Sequence, residues 1–154
     1  LDSLNQREPI PFERELKHLK CYTSIEKKRF GDRLHVEYEI NTEDFMLPAL
    51  TVQPLVENAI KHGVCKKSGG GTVRIKTEER QGQIYITVSD DGVGFDPEAV
   101  ETDGENHVGL KNVASRLKTM SEGHMEIISE AGKGTRVVIV FPVKKGITYE
   151  NHSN

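Results

Sequence analysis

Two stretches of this chain leave little freedom in how it folds. "TVRIKTEERQGQIYITVSDDG" (residues 72–92) holds two segments in which apolar and polar residues alternate around the short polar turn "RQGQ". "HMEIISEAGKGTRVVIVFP" (residues 124–142) repeats the arrangement around "AGKG". A period of two puts every second side chain on one face, so each stretch is expected to form an antiparallel hairpin with one apolar side. A further segment, "RLHVEYEI" (residues 33–40), turns Leu34, Val36, Tyr38 and Ile40 one way and His35, Glu37 and Glu39 the other. Strands that are apolar on one face need a second layer to cover it.

Helical spacing supplies that layer. From Phe12 to Phe30, at about 100° per residue, Phe12, Leu16, Leu19, Thr23 and Phe30 share one side, and Ile25 falls opposite. Pro48 to Gly63 contains a second helix, with Thr51 as its expected N-cap. Its apolar stripe is Val52, Leu55, Val56, Ala59 and Ile60. Pro54 fits a first turn, whose N–H groups lack helical partners anyway. The third helix, "LKNVASRLKTM", is expected to open at Gly109. The expected fold class is α+β: a two-layer α/β sandwich whose mixed, mostly antiparallel sheet of about five strands is covered by about three helices. Residues 1–11, with two prolines, read as a connector from a missing upstream region. Residues 12–143 read as one domain and residues 144–154 as a polar, frayed tail.

The whole-chain figures narrow the function classes. With 154 residues, 29% charged and 35% hydrophobic, the chain suits one soluble domain. A net charge of -3 gives no general attraction to nucleic acid or an anionic membrane. No apolar run approaches the roughly 20 residues of a membrane helix, and no signal-peptide pattern is present. The first residue is Leu1 rather than a methionine, so the expectation is a piece of a longer protein with membrane segments upstream. Cys21 and Cys65 make no disulfide framework and fit a reducing compartment. Each follows a histidine by three positions (His18 and His62), but the pairs lie far apart without the close knuckles of a structural zinc site. Zinc is set aside.

Three features carry chemistry. On the second helix, Glu57, Asn58 and Lys61 occupy the arc opposite the apolar stripe, with His62 at its edge; periodicity alone reads this as a solvated face. On the strand "IYITVSDDG", Ile84, Ile86, Val88 and Asp90 share the face that should be buried, while Asp91 points away. A carboxylate ending an apolar face needs a donor, and an exocyclic amine would suit it; otherwise the strand stops short and Asp90 caps a turn. Finally, Gly92 and Gly94 follow Asp90, and Gly132 and Gly134 precede the last strand, where backbone can approach a ligand closely. A helix opening at Gly109 would offer free N–H groups to a phosphate. "GKGT" is no P-loop, since Gly134 stands where Ser or Thr should follow Lys133, and no GxGxxG occurs.

In this order the pieces resemble the Bergerat ATP-binding fold of the gyrase, histidine kinase and MutL superfamily. "VENAIKHG" resembles its N box, "DDGVGF" its D-x-G-x-G box, "VGLKNV" a reduced G2 box and "GKGT" its G3 box. "ELKHLKCYTSIEKKRFGDRLHVEYEI", "LPALTVQPLVENAIKHGV" and "GLKNVASRL" further resemble the LytS-type sensor histidine kinases. The likeness covers about residues 12–142.

The resemblance implies ATP and Mg²⁺ as cofactors. Asn58 would hold Mg²⁺ through its side-chain oxygen, and Lys61 would reach a terminal phosphate. His62 would lie near the adenosine, and Asp90 would accept a hydrogen bond from the adenine amine. Gly92 and Gly94 would turn beneath the base, and Thr135 would hold Asp90 or a water beside it. Gly109 and Leu110 would lie near the phosphates, and Glu57 would polarise the incoming nucleophile. Residues 95–108 would form a lid, acidic through Asp96, Glu98, Glu101, Asp103 and Glu105, without Lys or Arg and expected to be mobile.

The implied activity is an ATP-dependent protein histidine kinase lacking its own phosphoacceptor. None of His18, His35, His62, His107, His124 or His152 has the following phenylalanine and asparagine-rich helix of that motif. The implied partners are upstream dimerisation and phosphoacceptor helices, a response regulator and a second copy of the full-length chain. The implied setting is the cytoplasmic side of a membrane-anchored bacterial protein. The alternative is an anti-sigma-factor-type serine kinase or another ATPase of the superfamily. Those proteins usually place a glutamate base four residues before the N-box asparagine, where this chain has Pro54.

Overall fold

The computed structural model describes residues 8–96, 104–120 and 122–143, without the side chains of 104–109 and 120. Both expected hairpins are present. β4 (Gly71–Arg80) and β5 (Gln83–Asp90) pair antiparallel, as do β6 (His124–Glu130) and β7 (Gly134–Pro142). The turn between β4 and β5 has two residues, Gln81 at φ +53° and Gly82 at φ +79°. Two positive φ values make a type I′ turn, whose twist matches that of the strands it joins.

β7 pairs with β5. β2 (Leu34–Ile40) adds to the free edge of β4 in parallel, giving the order β2-β4-β5-β7-β6. A parallel pair needs a long crossover, and residues 41–70, which contain the second helix, provide it.

Helix α1 (Phe12–Phe30) buries Phe12, Leu16, Leu19 and Thr23 and leaves Ile25 63% exposed, as its wheel predicts. It stops at Gly31, whose N–H bonds back to the Lys27 carbonyl. Helix α2 (Gln53–Asn58) continues through a π turn (Ala59–Gly63) and a 3₁₀ turn (Val64–Lys66). All five residues of its expected stripe are buried. Helix α3 (Gly104–Met120) contributes Leu110, Val113 and Leu117. These three apolar sides share one core with Ile75, Ile86, Val88, Val137 and Ile139 of the sheet. Among the described residues no helix is long and apolar enough to cross a membrane.

Three local expectations are corrected. Within the expected connector, Pro9–Pro11 forms a short strand, β1, antiparallel to β3 (Met46–Pro48) in a separate two-stranded sheet. Three residues, two of them proline, give alternation nothing to register. Residues 1–7 and the expected tail at 144–154 lie outside the described residues. Thr51 is not the N-cap of α2: its hydroxyl turns back to the Pro48 carbonyl, and Val52 holds the cap position. The Val52 and Gln53 N–H groups instead donate to Glu15 Oε2 of α1, at 2.6 and 3.1 Å. Finally, α3 begins at Gly104, so Gly109 lies inside the helix and not at its N-terminus. A helical glycine costs about 1 kcal/mol against alanine, which burial of the neighbouring Leu110 offsets.

Candidate functional site

Rows read across the inner face of the sheet show how the site arises. Thr77–Ile86–Ile139–Met125 and Ile75–Val88–Val137–Ile127 are largely apolar rows. The next row, at the C-terminal end of β5, is Val73–Asp90–Thr135–Ser129. Polarity therefore enters where β5 ends, and the open question about Asp90 is settled: it is the last residue of the strand, on the core-facing side. Thr135 is buried together with Val137, Ile139 and Phe141, as alternation requires.

The polar row is internally bonded. Ser129 Oγ lies 2.7 Å from Thr135 Oγ1 and 3.1 Å from the Gly134 carbonyl. Its single proton goes to that carbonyl, so the Thr135 hydroxyl donates to Ser129. The Phe95 N–H also donates to Ser129 Oγ, at 2.9 Å. Asp90 Oδ1 accepts from the Gly92 N–H at 2.8 Å.

Around Asp90 the backbone comes too close for side chains. A Cβ on Gly63, the last residue of the π turn, would lie 2.7 Å from Asp90 Oδ1. One on Gly92 would lie 2.1 Å from the Gly63 carbonyl carbon, and one on Gly134 2.2 Å from the Asp90 carbonyl oxygen. Gly134 also sits at φ +105°, where L side chains are strained. The Val93 N–H donates to the Gly63 carbonyl at 3.3 Å, so the end of the N-box segment is joined directly to the glycine-containing segment after β5. Burial pushes the Asp90 carboxyl up from its ordinary 3.8 to about 6, and the Asp91 charge adds to this; the Gly92 N–H, Lys67 and the Thr135 N–H pull it back.

The other N-box residues precede Gly63 along the same helical segment. Glu57 accepts a hydrogen bond from Gln53 Nε2 at 3.0 Å, one helical turn back. Asn58 closes α2 half-buried; Lys61 is exposed and His62 half-buried in the π turn. Such turns concentrate at functional sites, and this one presents Gly63 to Asp90. Leu110 is a core residue, 1% exposed, so its side chain faces the core and only its backbone is left for a ligand. Of the expected lid, residues 97–103 lie outside the described residues, among them Glu98, Glu101 and Asp103. Among the described residues no three His, Cys, Asp or Glu side chains form a metal cage. A single amide oxygen at Asn58 fits Mg²⁺, which keeps waters and substrate phosphates as its remaining ligands.

A cleft of about 410 Å³ runs round this end of the sheet, from the inward Asp90, Ser129 and Thr135 to the outward Ser89 and Arg136, with Lys133 at its rim. A smaller apolar cavity of about 250 Å³ lies near β1, lined by Glu15 and Gln53 among others, and touches none of the four boxes. The first holds the polar row. Ser129 and Gly63 are members of the site that the sequence reading gave no role. Ser129 was within reach of the alternation rule, which puts it inward with Met125 and Ile127; Gly63 closes the N-box motif.

Comparison with known proteins identifies the family. Sensor histidine kinase YpdA of Escherichia coli is 38% identical over 145 residues, covering 90% of this chain and 26% of its own. Sensor protein LytS of Bacillus anthracis is 33% identical over 149 residues, covering 89% and 25%. YwpD of Bacillus subtilis is 42% identical over 132 residues, covering 82% and 48%. The chain thus spans about half the length of one relative and a quarter of the others. Among solved structures, the histidine kinase domain of the blue-light activated kinase from Erythrobacter litoralis matches with a TM-score of 0.66 at 22% identity, covering 87% of this chain and 62% of that one. The mycobacterial sensor histidine kinase MprB matches with 0.65 at 17%, covering 90% and 98%; at these identities both show the fold. Residues 43–145 match the family model described as histidine kinase-, DNA gyrase B- and HSP90-like ATPase, and the chain belongs to that family of ATP-binding domains.

Proposed function

We propose that this chain is the catalytic, ATP-binding domain of a two-component sensor histidine kinase. The observation that carries the reading is the polar row Asp90–Thr135–Ser129 on an otherwise apolar sheet face, enclosed by Gly63, Gly92 and Gly134. Asp90 accepts from the exocyclic amine of adenine, and Thr135 holds the base edge directly or through water. The base lies over Gly92 and Gly94, with His62 near the adenosine. Asn58 and Lys61 take the triphosphate end, with Gly109 and Leu110 contributing backbone. Asn58 would hold Mg²⁺, which would supply charge neutralisation at the phosphates.

The reaction is phosphoryl transfer to a histidine outside these residues. An imidazole nitrogen attacks the γ-phosphorus, the bond to the β–γ bridging oxygen breaks, and ADP leaves. Glu57, held by Gln53, polarises the incoming imidazole, and Lys61 offsets charge on the transferred group. The domain's work is positioning. The phosphoryl group then passes to an aspartate of a response regulator. The full-length protein is a membrane-anchored homodimer with this domain on the cytoplasmic side, served by upstream dimerisation and phosphoacceptor helices.

Incubating the full-length protein with γ-labelled ATP tests this. The expected product is an acid-labile, base-stable phosphohistidine whose formation needs Mg²⁺, Asn58 and Asp90. Acid-stable phosphoserine on a partner protein would overturn it in favour of the serine-kinase alternative.

A further inference from the structure

We propose that Glu15, on α1 and outside all four boxes, is a positioning residue of the nucleotide site that holds the N-box helix in register for the triphosphate. The inference rests on the proposed placement of Asn58 and Lys61. Glu15 is 3% exposed, and its Oε2 accepts both N–H groups that open α2, from Val52 at 2.6 Å and Gln53 at 3.1 Å. From the other side, Arg116 of α3 donates through Nη2 to the carbonyl of Leu50, a non-glycine residue at φ +59°. The turn from Leu50 to Gln53 is thus gripped by two helices.

Three features make this more than a stability contact. A buried carboxylate serves to fix specific partners, and Glu15 commits Oε2 to the two N–H groups that open α2. Burial raises the Glu15 carboxyl above its ordinary range, opposed by the three N–H groups of Thr51, Val52 and Gln53 and by the positive field of Arg116. Second, α2 is only six residues long, so Asn58 lies about 8 Å along the axis from the gripped turn. A tilt at Gln53 reaches Asn58 and Lys61 with little chain between to absorb it. Third, Asp90 has anchors outside the N-box segment, in its own strand and the Gly92 N–H, and meets that segment at Gly63, beyond Asn58 and Lys61 from the gripped turn. Loss of the Glu15 grip should therefore disturb the phosphate end of the site and spare the adenine end.

The test compares Glu15→Ala, Glu15→Gln and Asp90→Asn with the parent chain, at a temperature where circular dichroism shows each to be fully folded. Affinities for Mg·ATP and for adenosine are read by displacement of a fluorescent ATP analogue. Glu15→Ala is expected to weaken Mg·ATP about tenfold and adenosine less than about twofold. Glu15→Gln, which keeps the acceptor, is expected to restore Mg·ATP binding. Parent-like binding by Glu15→Ala, equal losses for both ligands, or a Glu15→Gln variant no better than alanine would each overturn the proposal. If Glu15→Ala does not fold, Glu15→Asp, with its acceptor drawn back by one methylene, must show the same split. Asp90→Asn separates the two readings: adenosine bound as tightly as by the parent would sink the adenine site itself, whatever Glu15 does.

Discussion

Asp90→Asn should strengthen the fold while disabling the site. The folded protein binds the Asp90 proton more tightly than an ordinary aspartate does, with the carboxyl raised from 3.8 to about 6. The stability linked to that proton is fully present below pH about 4 and lost as pH rises through about 6. The full difference is worth about 3 kcal/mol, reduced to about 1–2 kcal/mol by the water this half-buried side chain still meets. Asparagine keeps an oxygen for the Gly92 N–H and has no ionisation to lose. Urea titrations at several pH values should therefore show the variant's advantage over the parent opening between pH about 4 and 6. At pH 7 its melting temperature should be higher by about 3–6 °C. In the proposed adenine site its amide would present a donor where an acceptor is needed, so a fluorescent ATP analogue should bind about thirtyfold more weakly or worse. An advantage that stays flat with pH would refute the electrostatic argument, and undiminished binding would refute the adenine contact.

Gly92→Ala puts a methyl 2.1 Å from the Gly63 carbonyl carbon; it should destabilise by about 1–3 kcal/mol and abolish analogue binding. Gly82→Ala is its control, with open space but φ +79°, so chemical denaturation should register a loss of about 1 kcal/mol with binding intact. Thr77 is fully buried, donates to the Thr42 carbonyl at 2.7 Å and accepts from the Thr42 N–H at 3.3 Å. Thr77→Val should cost about 1–3 kcal/mol in denaturant titrations and leave nucleotide affinity unchanged. Ser129→Ala removes the links to Phe95, Gly134 and Thr135 together; competition binding should show adenine nucleotides weakened by about three- to tenfold.

Much of the fold was written in periodicity. Alternation placed both hairpins and the inward faces of Asp90 and Thr135, because half-buried strands leave a clear pattern. It could not show that Asp90, Thr135 and Ser129 form one row, since register belongs to pairs of strands. The wheel of α1 puts Glu15 about 60° and Glu26 about 40° from Phe12, on the arc that proves buried. The oddity was therefore legible, but its partners, across a helix interface, were not. Thr51 failed as a cap for the same reason: a tertiary acceptor took the place of a local one. A wheel drawn at 100° also cannot anticipate the π turn that sets Gly63 against Asp90, and a rule that starts helices at glycine misplaced the start of α3.

The order of the main sheet leaves β2 and β6 as its two margins. On β2 the outward side chains are His35, Glu37 and Glu39; on β6 they are His124, Glu126, Ile128 and Glu130, all exposed. Open strand margins invite unwanted pairing between molecules, and acidic side chains at alternate positions set like charges against each other when two such margins meet. These charges therefore oppose edge-to-edge pairing of two molecules. Replacing Glu126 with valine would join it to Ile128 in a continuous sticky rim, making a self-associating material of a domain that still folds.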